Sequence, residues 1–343
     1  MKKLICCLGI ITVGILHAQN VVLPFILNGY INSDTGSVRL ILTGDSSNYL
    51  PIQYLTTGKV KNGQFSFSGV LSYPLSFRLL FLGNKEYVSD LFYIDAGTQT
   101  IICNVDSIRE IPAMNNATMQ ELIQFKQQHY TSETIQVYIK KHPASYMAMW
   151  QLARMLSFNY NPNLDTAYSY LSDAVKMSYT GIRLGEKLKA AAVLSLNHIF
   201  PNLTLLDMWK NPTQLFNQKK INQFTLIDFW FSHCNPCIEQ FPQFIQIYHK
   251  YKNINFNMIG ISVDNTKDIG NWIKMIGKYQ LPWQQLLDTN GFQALKLSIN
   301  TYPRNFLLDS HHVIIQKDIT PEALNNFLAE KMTEHKSSFS NVP

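Results

Sequence analysis

The chain has 343 residues, 46% hydrophobic and 15% charged, which is enough apolar material for ordinary cores in two or three domains and too much for a disordered protein. Its formal charge of +6 comes from 29 basic and 23 acidic residues. No Lys/Arg cluster is longer than a pair, so the mild basicity leaves no nucleic-acid footprint.

Residues 1–18 form a block of their own. Lys2 and Lys3 give a basic start, an apolar run extends from Leu4 to Leu16, and Ala18 precedes Gln19. That layout predicts a secretory signal peptide cleaved after Ala18. The run is shorter than the roughly 20 residues that span a bilayer, and no later segment is apolar enough to do so. Cys6 and Cys7 stand too near the start for a lipid attachment point, so the expected product is exported, soluble and periplasmic, ahead of a membrane-anchored form. Cleavage leaves 27 basic against 23 acidic residues, a net charge of about +4, and three cysteines: Cys103, Cys234 and Cys237. Three cysteines exclude a framework of several bridges, while export makes disulfide chemistry available.

Residues 19–110 read as a small all-β domain, sandwich-like or barrel-like. Runs such as "VRLILTG", "QFSFSGVL" and "SFRLLFLG" carry branched and aromatic residues between Gly, Asn, Ser and Pro turns. "KNGQFSFSG" predicts a hairpin turning at Asn62-Gly63. Cys103, within "TIICNV", is expected to be a buried, inert small hydrophobe. From 111 to 198 the texture becomes helical, with apolar residues three and four apart in "MQELIQFKQQHY", "TIQVYIKKHP" and "SYMAMWQLARML". Its Met and aromatic stripes are buried helix faces.

Residues 199–335 alternate strand and helix, which implies a sheet with helices on its faces, and 336–343 form a tail. "FTLIDFWF", "NFNMIGISVD" and "RNFLLDS" are the apolar strands; helices are expected over 237–252, 266–279, 290–298 and 321–333. "NFLLDSHHVIIQKD" predicts a hairpin with His311 and His312 as exposed turn residues.

The chemistry concentrates in "LIDFWFSHCNPCIEQFP", residues 226–242. Zinc requires about four ligands, and here one Cys pair stands without a second pair or a matched His pair. A permanent structural disulfide stays open, although bridging near neighbours constrains little of the unfolded chain. A redox centre fits the strand–turn–helix setting best. Pro236 suits a first helical turn, which places Cys234 at the helix N-terminus. There, free amides and the helix dipole stabilise a thiolate. Cys237, one turn further in, is shielded, so the two sulfurs have unequal jobs.

With "FPNLTLLDM", "NFNMIGISVDN" and "TYPRNFLLD" in order around it, this stretch resembles the thioredoxin-fold domain of the TlpA/ResA-like extracytoplasmic thiol–disulfide oxidoreductases. The whole chain is similar, more loosely, to a Bacteroidetes-type architecture in which a β domain of unknown function and a helical segment precede that domain. The resemblance implies a multidomain protein with a C-terminal α/β thioredoxin fold, acting as a CxxC reductase. It makes Cys234 the attacking and Cys237 the resolving cysteine, joined as a redox-active disulfide. Asp228 becomes the buried acid assisting proton transfer at the resolving thiol, the alternative being a strand-end acid paired with a lysine. Trp230 packs beside the site, and Pro303 is a cis-proline that opens the Tyr302 backbone to a substrate peptide.

His233, Asn235 and Pro236 complete the expected substrate-facing rim. His233 and Ile238 depart from the family, which usually has Trp before the first cysteine and often a basic residue after the second; Asn-Pro replaces the commoner Gly-Pro. A protonated His233 would stabilise the thiolate, and the plain alternative is an exposed rim residue. No metal or organic cofactor is implied. The implied partners are disulfide-containing exported proteins and a membrane thiol donor, with no nucleic acid. A non-enzymatic peptide-binding scaffold and a thiol peroxidase are the alternative functions.

Overall fold

The computed structural model describes residues 22–41, 56–83, 86–106, 112–127, 131–216 and 222–339. The segment read as an export signal lies outside the described residues. The chain divides after Ile123 into two compact units.

The first unit is built on nine strands: β1 (Leu23–Ile31), β2 (Thr35–Ile41), β3 (Thr56–Lys61), β4 (Gln64–Leu71), β5 (Leu75–Leu82), β6 (Glu86–Val88), β7 (Phe92–Ile94), β8 (Gly97–Cys103) and β9 (Ala113–Met114). Their order is β6-β5-β2-β3-β4-β1-β8-β9, with β7 also paired to β5. The strands join in a single sheet rather than the two stacked sheets of a sandwich. The reason is visible in β1 and β4, where buried residues such as Leu27 and Phe67 alternate with exposed ones. An antiparallel sheet tolerates one packed and one wet face. The β3–β4 hairpin turns where expected, with Asn62 and Gly63 both at positive φ (51° and 72°), the backbone that Asn-Gly accepts readily. Cys103 is an unpaired, buried thiol, and burial pushes its pKa up to about 12, which leaves it unreactive.

Helix α1 (Ala117–Lys126) follows, and five helices lie in the second unit: α2 (Ser132–Lys141), α3 (Tyr146–Phe158), α4 (Pro162–Tyr170), α5 (Asp173–Lys176) and α6 (Tyr179–Ala192). Thr131, Ser145, Asn161, Ser172 and Ser178 start these five by accepting an amide of the first turn. The Met stripe of α3 is core: Met147 and Met149 are fully buried.

The rest of the unit is the expected thioredoxin-like sheet. Its strands are β10 (Thr204–Leu206), β11 (Pro212–Gln214), β12 (Phe224–Trp230), β13 (Phe256–Ser262), β14 (Gln284–Leu287), β15 (Arg304–Asp309) and β16 (Ile314–Lys317), in the order β11-β10-β14-β13-β12-β15-β16. Helices α7 (Asn235–Tyr251), α8 (Ile269–Tyr279), α9 (Phe292–Lys296) and α10 (Pro321–Phe339) complete it, α10 running past the 333 read from sequence. Central β12 pairs parallel with β13 and antiparallel with β15, and all seven of its residues are buried. Its even-numbered residues Leu226 and Trp230 pack with α7 and α10, while Ile227 and Phe229 pack on the opposite face. In the β15–β16 hairpin His311 is exposed, whereas His312 is half-buried and stacks on Phe216 with ring centroids 3.7 Å apart.

Arg304 joins two parts of this unit. Its guanidinium donates to the Phe158 carbonyl at the end of α3 (2.9 Å) and to Thr301 Oγ1 (2.9 Å), and pairs with Asp318. Arg304→Ala leaves the Phe158 carbonyl and Asp318 without this partner. The expected loss is about 1–3 kcal/mol, read by chemical denaturation; an unchanged midpoint would remove Arg304 from the account of how α3 is held.

Candidate active site

Strand β12 ends at Trp230, and a four-residue turn leads to α7. Cys234 is the N-cap of that helix, with Pro236 in its first turn. Cys234 and Cys237 form a disulfide, their Cα atoms 5.3 Å apart. Both cysteines are buried, at 3% and 2% exposure, so in this oxidised state neither sulfur is the exposed one expected from sequence. The inequality lies in their positions instead. Cys234 Sγ accepts the Cys237 N–H (3.3 Å), an arrangement in which the helix N-terminus points its amide at the first sulfur. Cys237 sits inside the helix, packed in the apolar cluster.

The turn is held by a residue that sequence motifs do not single out. Asp264, buried just after β13, accepts the Ser232 N–H (2.9 Å), the Ser232 hydroxyl (2.6 Å) and the Ser262 hydroxyl (2.7 Å). The one sequence signal is Ser-x-Asp ending an otherwise apolar strand. Cys234 N–H donates to the Phe231 carbonyl (3.0 Å), so a turn fixed by Asp264 fixes the cysteine as well.

Asp228 lies in the middle of β12 at 3% exposure, and its Oδ1 has no hydrogen-bond partner. Burial pushes the carboxyl pKa up to about 8. The residue beside it on β13 is Gly260, so the alternative of an ion pair with a neighbouring lysine finds no support there. Trp230, two residues along on the same face, donates Nε1–H to Gln285 Oε1 (3.2 Å) and packs edge-on against Phe241. Trp230 is therefore core and site neighbour at once.

The Tyr302–Pro303 peptide bond is cis, as expected. Tyr302 packs edge-on against Phe231 (centroids 5.7 Å apart), which places the cis-proline loop beside the turn that carries Cys234. Asn235 and Pro236 are exposed. His233 is also exposed, its side chain at 62%, but it is not unattached: Nε2 lies 3.2 Å from Asn271 Nδ2 and 3.6 Å from Asp268 Oδ1. Pro242 falls inside α7. Among the described residues no cluster of His, Cys, Asp and Glu has the makings of a metal site.

Residues 196–330 match the Redoxin family. Over 137 residues, 39% of this chain, the sequence is 27% identical to a thiol-disulfide oxidoreductase ResA of Bacillus cereus and covers 76% of it. It is 27% identical over 100 residues to the sporulation thiol-disulfide oxidoreductase A of Bacillus subtilis (strain 168), covering 61% of that protein. The C-terminal domain belongs to the Redoxin family. This Redoxin-family domain is a thioredoxin-like, ResA-like thiol–disulfide oxidoreductase, and Cys234–Cys237 is its CxxC disulfide. Among solved structures, a thiol-disulfide oxidoreductase from Bacteroides fragilis NCTC 9343 is 32% identical, with 38% of this chain and 98% of that one covered and a TM-score of 0.35. The thioredoxin domain of a Bacteroides vulgatus oxidoreductase is 23% identical, covering 40% and 96%, with a TM-score of 0.36.

Asp228 makes stability depend on pH. The unfolded chain releases this proton near the ordinary Asp value of about 3.9, whereas the folded protein holds it until about pH 8. Between those values the folded state binds more protons, so stability falls as pH rises through the window and levels off above it. Asp228→Asn is expected to stabilise by roughly 4 kcal/mol at neutral pH and to give no gain in acid. Thermal melts of both proteins across that range decide; parallel curves would reject a buried neutral acid.

Proposed function

We propose that the protein is an exported reductase of protein disulfides, working in the periplasm. The observation that carries this reading is the Cys234–Cys237 disulfide at the start of α7, with the cis Tyr302–Pro303 loop packed against its turn through Phe231. The basic and apolar pattern of residues 1–18 supports export, and an oxidising compartment supplies disulfide substrates.

In the reduced protein, Cys234 thiolate attacks one sulfur of a substrate disulfide. A Cys234–substrate disulfide forms, and the other substrate sulfur leaves as a thiolate and takes up a proton. Cys237 then gives its proton to the Asp228 carboxylate and attacks Cys234 Sγ. The substrate's second thiolate departs, leaving the substrate reduced and the Cys234–Cys237 pair oxidised. The pair receives its two electrons back from a thiol donor at the membrane.

Substrate is held by its backbone. A cis bond before Pro303 leaves the Tyr302 main chain free to pair with an extended peptide, while Asn235, Pro236 and His233 form the exposed rim beside the sulfurs and Trp230 supports the site from within. Such recognition is tolerant of sequence, which suits exported proteins that share only a disulfide. The reductase direction rests on the family resemblance.

Purified protein is expected to speed insulin reduction by dithiothreitol, and Cys234→Ser to abolish the acceleration. Cys237→Ser is expected to accumulate mixed disulfides with exported proteins, identified by mass spectrometry. Full activity in Cys234→Ser would refute the mechanism. Titration of the pair against glutathione tests direction, because 30 mV corresponds to about 1.4 kcal/mol; a potential well above that couple's would make the protein an oxidant.

A further inference from the structure

Four residues stand in one row across the sheet. Asn305 on β15 is opposite Asp228 on β12, Asp228 is opposite Gly260 on β13, and Gly260 is opposite Gln285 on β14. Residues in register point to the same side of a sheet, so all four share the face that α7 covers. Asn305 is spoken for: Oδ1 accepts the Ile319 N–H (2.9 Å) and Nδ2 donates to the Ile319 carbonyl (3.0 Å). Gly260 offers no side chain. The space over it belongs to Gln285, since a Cβ built on Gly260 would lie 2.4 Å from Gln285 Oε1 and 2.9 Å from Nε2.

The amide orientation is fixed chemically. An indole N–H only donates, so the oxygen of Gln285 must face Trp230, as observed. Nε2 is thereby turned elsewhere, and it is a buried donor with no partner. On the other side of Gly260, Asp228 Oδ1 is a buried acceptor with no partner. One orphan donor and one orphan acceptor therefore flank a single glycine in a fully buried row.

We infer that Gln285 is a positioning residue for Asp228: its amide N–H, held over Gly260 by the Trp230 indole, donates to the carboxylate when Asp228 takes the ionised form. This inference rests on the reading of Asp228 as the acceptor of the Cys237 proton. Burial alone favours the neutral acid, and in the burial of Asp228 no charged side chain contributes. The titratable groups of the apolar cluster on this face are Cys234 and Cys237, joined in the disulfide, and Tyr251 of α7, with Tyr248 of α7, Tyr279 of α8 and Tyr302 at its margin. A neutral donor placed over a glycine gives the ionised form a partner without an opposing charge, so the acid can both take and return a proton.

The test is carboxyl-carbon NMR of the oxidised full chain labelled at aspartate, where the joined cysteines do not titrate. Asp228→Asn assigns the signal by removing it. Gln285→Met, close in volume, is expected to raise the proton affinity of Asp228 about tenfold. Gly260→Ala, whose methyl displaces the amide from the other side, is expected to shift it the same way and serves if Gln285→Met does not fold. The rise of the insulin-reduction rate with pH is expected to move up in parallel. An Asp228 titration unchanged in the folded variant overturns the inference, as does a moved titration with an unmoved rate profile. The two failures separate: if Asp228→Asn itself keeps the wild-type profile, the proton-transfer role of Asp228 is at fault, not the contact with Gln285.

Discussion

A carboxyl group without a counter-charge sits in the middle of a strand whose seven residues are all buried. Holding it there costs stability as soon as it ionises, and much of the domain is arranged around that cost. The strand cannot be exposed to relieve it, because β12 is the central element on which both apolar clusters close. Nor, among the described residues, is there an ion pair to neutralise it. What the fold supplies is a dry face, a glycine beside the acid and a polar amide two strands away. The disulfide lies on the same face, so the constraint that burdens folding sits in the same buried layer as the two sulfurs.

The turn between strand and helix is fixed by a different kind of polar group. Asp264 is buried too, but it accepts two side-chain hydroxyls and a backbone amide. One buried acid is satisfied and the other is not, the first at the end of the sheet and the second at its centre. The satisfied one sets geometry. The unsatisfied one is available for chemistry, which is the distinction that hydrogen bonding draws between structural and reactive carboxylates.

Much of this was legible in the sequence, and the limits have physical causes. The CxxC pair and its helix start were readable because each is a local pattern, two cysteines after an apolar run and a proline in a first turn; the roles of Asp228 and the cis bond before Pro303 were reached only through the family resemblance. The helices of the middle region were readable from spacing. Strands β10, β11 and β14 were not, since three or four residues carry too little periodicity, and β14 begins with two glutamines. Gly260 and Gln285 come beside Asp228 only through register, which brings residues dozens of positions apart into one row, and Asp264 meets Ser232 only because the strands β12 and β13 end side by side. The β unit read as sandwich-like or barrel-like because alternation reports a buried face without telling whether a second sheet or a curl of the same sheet covers it. The burial of both sulfurs was missed because helix position predicts which sulfur is nearer the end, not how closely the surrounding side chains pack.

The link through Arg304 has a consequence for how the chain can change over evolutionary time. The guanidinium holds the Phe158 carbonyl, not the Phe158 side chain, which is itself 60% exposed. A main-chain acceptor is indifferent to the residue that carries it, so position 158 can drift freely while the place where α3 stops cannot. An insertion or deletion in that short connection would move the carbonyl away from the arginine next to the cis-proline, without altering any residue near the sulfurs. At position 158 length, rather than identity, is what has to be inherited, whereas Asn159 and Asn161 just after it act through their side chains.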